Sequence, residues 1–325
     1  MLRLPFFDYL QPRTLAEALR MKADAAPDAM FVAGGTDLYP NMKRRHQEPK
    51  TVISLMGIPE LHQRTESSVG ACVTLSELTA HPPTGPAALP TAARLVSTPL
   101  LRNMGTIGGN LCLDTRCNYY NQSYEWRKSI DFCMKKDGHI CWVAPSSPRC
   151  WAVSSSDVAP VMVAIGAEYR LLGPQGERII PAGRFYHNDG INYLTKQPDE
   201  VLVDVRLPTP NGWDAVYHKL RRRGSFDFPV LGVAAWVQWD GNKVGDARVV
   251  LGGVASYPQD VPEAGAALQG GPLSTETIAA AAEAAYRPSK PMDNTDFDLS
   301  WRKQMTRVYV KRALDELRAR HGGKS

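Results

Sequence analysis

Met30-Phe31-Val32-Ala33-Gly34-Gly35-Thr36-Asp37 runs from an apolar stretch into two glycines, and Thr106-Ile107-Gly108-Gly109-Asn110 repeats the glycine pair further on. The first stretch reads as a short buried strand feeding a tight loop. Glycines placed after a strand let backbone N–H groups turn inward and approach an anion closely, and Thr and Asn side chains add neutral donors. Two such loops can grip one dinucleotide; two ordinary tight turns are the plainer alternative. Neither loop is G-x-G-x-x-G and no Walker lysine follows, so the Rossmann and P-loop readings both fail.

Working outward, Thr14 and Glu17 form a capping-box pattern, and Leu15, Ala18 and Leu19 share one face, so a helix is expected from there to near Pro27. Thr51 to Leu55 reads as a second strand, and the polar stretch from Pro59 to Ser68 marks a subdomain boundary. A second unit extends from Val69 to about Pro208. It carries a capping box at Thr74 and Glu77, a helix around Ala92 to Leu95, and apolar runs at Val158 to Ala167 and Val201 to Leu207. Residues 114 to 156 interrupt this unit without periodicity, and so long an irregular loop inside a compact domain is usually functional. Beyond Pro208, Val230 to Trp239, the Asp240-Gly241 turn and Arg248 to Val254 read as antiparallel strands. Helices are expected over Ser274 to Tyr286 and at the C-terminus, where Met305, Val308, Tyr309, Ala313 and Leu317 share an apolar face. The fold class is α+β, divided as residues 1–57, 58–208 and 209–325.

The chain has 325 residues, 43% hydrophobic and 22% charged, which excludes disorder. Its longest nearly uncharged apolar stretch, Val158 to Ala167, is about half of the ~20 residues that a membrane span needs. The N-terminal stretch lacks the apolar region of an export signal, so a cytoplasmic protein is expected. A net charge of +5 from 38 basic and 33 acidic side chains does not suggest nucleic acid. The histidines, among them His139, His187 and His218, show no ligand spacing, no Ser, His and Asp arrangement stands out, and Arg221-Arg222-Arg223 reads as a solvated patch. No residue of this chain is expected to be catalytic.

Six cysteines are present, and five of them, Cys112, Cys117, Cys133, Cys141 and Cys150, fall within residues 112 to 150. Their spacing matches neither the C-x2-C knuckles of structural zinc nor the usual ferredoxin runs. Thiolates select zinc or iron and sulfur, so Cys117, Cys133, Cys141 and Cys150 can hold a cluster, hold zinc or remain unligated. The surroundings lean toward a cluster: Tyr119, Tyr120, Trp126, Phe132, Trp142 and Trp151 would shield it, and Arg127, Lys128, Lys135, Lys136 and Arg149 would offset its charge. Cys72 and Cys112 read as buried core thiols.

The two glycine loops resemble a known family when taken with Gly70-Ala71, Thr74-Leu75-Ser76-Glu77-Leu78, Arg102-Asn103 and Ser156-Asp157-Val158-Ala159-Pro160. That family is the FAD-binding subunits of the xanthine oxidase family of molybdenum hydroxylases. The resemblance continues through Lys219, Phe226-Asp227-Phe228 and Gly252-Gly253-Val254 and covers nearly the whole chain. It implies a two-subdomain FAD-binding module with a cysteine-rich insertion at 114–156, followed by a C-terminal α+β flavoprotein domain. It also implies the FAD pyrophosphate on Val32, Ala33, Gly34, Gly35, Thr36 and Asp37 and on Thr106, Gly109 and Asn110. Asp157 would bind near the ribose or pyrophosphate, Lys219 would approach the isoalloxazine, and Val96 and Leu202 would line the flavin. Ordinary members pass almost directly from the Gly-Gly-Asn loop to the Ser-Asp-x-x-Pro segment. The insertion here resembles one branch, which reductively dehydroxylates 4-hydroxybenzoyl-CoA and carries an extra 4Fe-4S cluster at that place. For that branch the resemblance implies a molybdenum-cofactor subunit and a 2Fe-2S subunit as partners and ferredoxin as donor. The basic side chains of the insertion are then expected to dock the acidic ferredoxin.

Overall fold

Residues 3–85 and 87–322 are described by the computed structural model. Strands β1 (Asp8–Leu10), β2 (Ala29–Val32) and β3 (Thr51–Ser54) form a parallel sheet in the order β1-β3-β2. The intervening α1 (Leu15–Asp24) starts where Thr14 Oγ1 accepts from the Glu17 N–H at 3.1 Å. The Glu17 carboxylate accepts from Arg13 N at 2.7 Å, so the expected box closes one residue early. Behind β2 comes the first glycine loop, and α2 (Leu38–Lys43) follows it. Leu15, Ala18, Ala29 and Ile53 pack with Val201 and Val203 in one core, which ties this unit to the next.

In the second unit β4 (Ser68–Gly70), β5 (Glu168–Gly173), β6 (Gly176–Pro181) and β7 (Val201–Arg206) form an antiparallel sheet in the order β4-β7-β5-β6. Helices α3 (Leu75–Ala80), α4 (Ala88–Leu95), α5 (Pro99–Arg102) and α6 (Ile107–Leu111) lead to the insertion, whose α7 (Tyr124–Ser129) was not expected from its pattern. The apolar run that follows is α8 (Val158–Ile165), buried at every position and ended by Gly166 in the left-handed region. A helix apolar on all sides is an internal one.

The last unit pairs β8 (Trp213–Leu220), β9 (Leu231–Asp240), β10 (Lys243–Gly252) and β11 (Gln259–Asp260) in the antiparallel order β11-β10-β9-β8. Strand β8 was not expected, and β10 begins at Lys243, ahead of the expected Arg248. Alternation decides which side each residue serves. Val233, Ala235 and Val237 pack with α10 (Thr275–Tyr286) and α11 (Leu299–Gly322), while Ala234 and Trp236 face α4 and α8. A short α9 (Pro262–Ala266) precedes those two helices. The sheet is therefore shared between two cores, and the second unit is held against it.

Candidate functional site

The two glycine loops meet backbone to backbone. A Cβ on Gly34 would stand 1.7 Å from the Met104 carbonyl oxygen, and one on Gly108 would stand 2.6 Å from Ala71 Cβ. Gly35 adopts φ +69°, and a Cβ there would strike the Tyr39 ring. Between the loops lies a cavity of about 270 Å³. Val32, Ala33, Gly34, Gly35, Thr36 and Asp37 line it from the first loop, Thr106, Gly109 and Asn110 from the second, and Val96 also lines it.

The loops contribute differently. Among the described residues the N–H groups of Gly34, Gly35 and Thr36 have no backbone acceptor, so they are free to donate to an anion. In the second loop Ile107 N donates to Val73 O at 3.0 Å and Gly108 N to Ala71 O at 2.9 Å, while Gly109 N donates to Thr106 Oγ1 at 3.0 Å. Those bonds make the second loop a rigid floor. At Gly109 a Cβ would meet only Thr106 Oγ1, at 3.1 Å, so the missing atom leaves room in the cavity itself. Asn110 Oδ1 accepts from Ser156 Oγ at 2.7 Å and Val158 N at 3.2 Å, leaving its amide nitrogen as a donor. The Asp37 carboxylate would repel an anion, but Arg116 pairs with it and Asn41 Nδ2 donates to it at 3.0 Å. Burial brings the Arg116 guanidinium down to about 10. Free donors, a neutralised carboxylate and space that a Cβ would fill together suit the pyrophosphate of a dinucleotide cofactor.

Three expected residues do not line this cavity. Leu202 lies on β7 opposite Leu171 and is buried in the core with α8, because the strand's alternation turns it away from the loops. Asp157 and Lys219 form a buried ion pair at 2.8 Å, and Tyr217 donates to the same carboxylate at 2.9 Å. Burial pushes the Asp157 carboxyl up and the Lys219 ammonium down, each opposed by the other's charge. Lys219 also donates to Leu95 O at 2.9 Å and Arg221 to the same oxygen at 3.2 Å, next to Val96 in the cavity wall. The pair thus stands one layer behind the cavity.

The insertion makes a second, smaller cavity of about 10 Å³, lined by Cys117, Cys133, Cys141 and Cys150 together with Tyr120, Lys135 and Trp142. All four thiols are buried. Cys133 sits in a tight turn: Asp131, Phe132 and Asp137 have positive φ, and Lys136 N and Gly138 N both donate to Cys133 O. Gly190 N donates to Cys150 O at 2.9 Å, and a Cβ on Gly190 would stand 2.7 Å from Cys150 Sγ. Burial pushes the Cys117 thiol up to about 12, whereas the hydrogen bond between Cys150 and Cys141 lowers Cys141 and raises Cys150. Among the described residues no group of three or more His, Cys, Asp and Glu is arranged to hold a single metal ion. Four soft donors facing one enclosed space are nevertheless a suitable donor set for an iron-sulfur centre.

Some expectations need correction. Lys135 is no docking side chain: it is buried, because its ammonium pairs with Asp114 at 2.8 Å. Arg127 is also buried, donating to Arg44 O and Arg45 O. Arg149 lies over the Trp151 ring and donates to Asn188 Oδ1 at 2.9 Å. Cys112 is half-buried, packed against the core and also lining the larger cavity, with its thiol pushed up to about 11 by burial. Cys72 is a core thiol, as expected. Sequence reasoning missed Arg116, Asp114, Gln47, Tyr193 and Phe228 in the cavity region; only the adjacent cysteines pointed to the first two.

Fold and cavity define an α+β cofactor-binding subunit with two glycine loops around one dinucleotide site. Residues 5–210 match the FAD binding domain in molybdopterin dehydrogenase, and residues 215–317 match the CO dehydrogenase flavoprotein C-terminal domain. The chain belongs to the FAD-binding subunits of the molybdenum hydroxylase (xanthine oxidase) family and resembles the CO dehydrogenase medium chain. It is 29% identical to the carbon monoxide dehydrogenase medium chain of Hydrogenophaga pseudoflava, over 97% of this chain and 98% of that one. Identity with the aldehyde oxidoreductase FAD-binding subunit PaoB of Escherichia coli (strain K12) is 34%, over 85% and 90% of the two chains. Among solved structures, carbon monoxide dehydrogenase from Hydrogenophaga pseudoflava superposes with a TM-score of 0.78 at 27% identity, covering 96% of this chain and 97% of that one.

Proposed function

We propose that this chain is the electron-transfer subunit of 4-hydroxybenzoyl-CoA reductase, carrying FAD and a 4Fe-4S cluster. One observation carries the reading. Four thiols from an insertion between the Gly-Gly-Asn loop and the Ser-Asp-x-x-Pro segment line one buried pocket next to the nucleotide cavity. Cys117, Cys133, Cys141 and Cys150 hold the cluster. Val32 to Asp37, Thr106, Gly109 and Asn110 hold the FAD pyrophosphate, Val96 lies against the flavin, and Asp157 and Lys219 steady that wall from behind. Residues 1–57 and 58–208 form the flavin module and 209–325 the C-terminal domain.

Reduced ferredoxin supplies single electrons, which pass by way of the cluster and the flavin to a 2Fe-2S subunit and on to a molybdenum-cofactor subunit. There 4-hydroxybenzoyl-CoA takes up two electrons and two protons, its phenolic C–O bond breaks, and benzoyl-CoA and water leave. Relatives named as medium chains or as subunits of a complex support such an assembly. No helix among the described residues is long and apolar enough to cross a membrane. A CoA thioester substrate and a ferredoxin donor place the complex in the cytoplasm.

A second reading is the flavin subunit of a different molybdenum hydroxylase, favoured by the 34% identity to an aldehyde oxidoreductase FAD-binding subunit, with NAD taken as its electron partner. The purified complex decides between them. Benzoyl-CoA formed from 4-hydroxybenzoyl-CoA with reduced ferredoxin supports the first reading. Flavin bleached by NADH, with no benzoyl-CoA formed, supports the second.

A further inference from the structure

The two cavities are separated by a pair of side chains, one from each. Lys135 lines the thiol pocket and Asp114 lines the nucleotide cavity, and the two pair at 2.8 Å. The ammonium also donates to Thr115 Oγ1 at 2.7 Å and to Gly190 O, so all three of its donors are used and its position is fixed. Gly190 is the residue packed against Cys150, so the lysine is anchored to a segment that also fixes a thiol. The same ammonium lies 5.0 Å from the Tyr120 ring of the thiol pocket and 5.3 Å from the Tyr193 ring of the nucleotide cavity. On the Asp114 side, Tyr120 OH donates to Oδ2 at 3.2 Å, and Gln47, which lines the nucleotide cavity, donates to it at 3.2 Å. Lys136, one residue on, is different: its side chain is one-third exposed and pairs with Asp137 at 3.4 Å.

We infer that Lys135 and Asp114 are positioning residues whose buried charges set the reduction potentials of both cofactor sites together. The inference rests on the assignment of the thiol pocket to an iron-sulfur cluster. Charges in a water-poor interior act over longer distances than at the surface. A thiolate-bound cluster is negative and becomes more so on reduction, so a fixed ammonium at its edge favours the reduced form. With the ammonium gone, the Asp114 carboxylate stands unpaired in the wall of the nucleotide cavity, and its negative charge disfavours reduction of a flavin bound there. Lys135→Met therefore lowers both potentials, and Asp114→Asn raises both.

The test is a redox titration of the holo-complex, with the cluster followed by EPR and the flavin by absorbance. The expected result is a downward shift of both midpoints in Lys135→Met, an upward shift of both in Asp114→Asn, and none in Lys136→Met. A role in packing alone would not give shifts of opposite sign. Should Lys135→Met lose iron, Lys135→Arg decides: iron kept in the arginine variant supports a need for charge, and iron lost from both overturns the inference. Unchanged midpoints in a fully loaded Lys135→Met complex also overturn it. Failure of the underlying assignment looks different, because the iron content of the complex would then be the same with and without Cys117→Ser.

Discussion

Backbone makes the wall of the nucleotide cavity, whereas side chains on an irregular loop make the wall of the thiol pocket. In the first, Gly34 lets the first loop touch the backbone leading into the second, Gly108 seats the second loop on Ala71, and Gly109 keeps the cavity open, so the site depends on atoms that are missing. In the second, four thiols line the pocket, Cys133 from a turn with positive φ at Asp131, Phe132 and Asp137, so the site depends on atoms that are present. Added bulk should therefore empty the first site and spare the second. Removing a sulfur should do the reverse.

The largest effect is expected from Gly34→Val. Its Cβ would overlap the Met104 carbonyl, a backbone atom that cannot swing aside, so the loops must separate. Overpacking in well-packed interiors costs about 1–3 kcal/mol even where side chains can adjust. The variant should lose all FAD and melt at a lower temperature; a soluble variant with stoichiometric flavin would mean that the loops do not dock in this way.

Next comes Lys219→Met, which leaves the Asp157 carboxylate buried without its cation. Breaking such a pair costs about 3–5 kcal/mol, and replacing both partners with neutral groups restores much of it. Urea unfolding of Lys219→Met against the Asp157→Asn/Lys219→Met double variant measures this. Equal losses in both would show that the pair's charges do not matter to the fold.

Gly109→Val should be milder for the fold and still severe for the cofactor, because its branch points into free space. Stability should fall by about 1 kcal/mol. FAD content should fall sharply while iron content holds, and flavin absorbance beside iron analysis reads both. Retention of stoichiometric flavin would remove Gly109 from the cavity's working wall. Smallest is Gly173→Ala, whose new Cβ meets the Glu200 side chain at 2.7 Å, far from the nucleotide loops. Flavin loss from that variant would mean that FAD content follows general stability instead of the cavity.

Both sites left marks in the sequence, of unequal kinds. The glycine pairs after Ala33 and Ile107 were legible because each position has a need for glycine: close backbone approach at Gly34 and Gly108, positive φ at Gly35 and open cavity at Gly109. The thiol pocket was legible as a cysteine count within a loop, but its spacing fits no fixed ligand pattern, since the irregular turn around Cys133 sets the geometry. What stayed hidden depends on contacts distant in sequence. Nothing local marks Arg116 as the partner of Asp37 or Lys135 as a buried cation, and both look like ordinary basic side chains on a loop. Leu202 packs in the core with α8, and a single apolar residue in a strand carries no sign of which face it joins. Strand β8 was missed because Asp214, His218 and Lys219 break the apolar alternation, and each meets a charged partner distant in sequence: Asp214 on Arg320 at 3.6 Å, His218 on Glu316 at 2.7 Å and Lys219 on Asp157.

The contrast between the two sites stands or falls on what the four thiols hold. The most direct measurement is iron, acid-labile sulfide, zinc and FAD in the purified complex, compared with single Cys→Ser variants at 117, 133, 141, 150, 72 and 112. Each of the first four is expected to lose one cluster's iron and sulfide and to keep its FAD, because a hydroxyl is a poor ligand for iron. Cys72→Ser and Cys112→Ser should keep both. Zinc in place of the lost iron, full iron in any of the first four variants, or iron lost from Cys72→Ser would contradict the account.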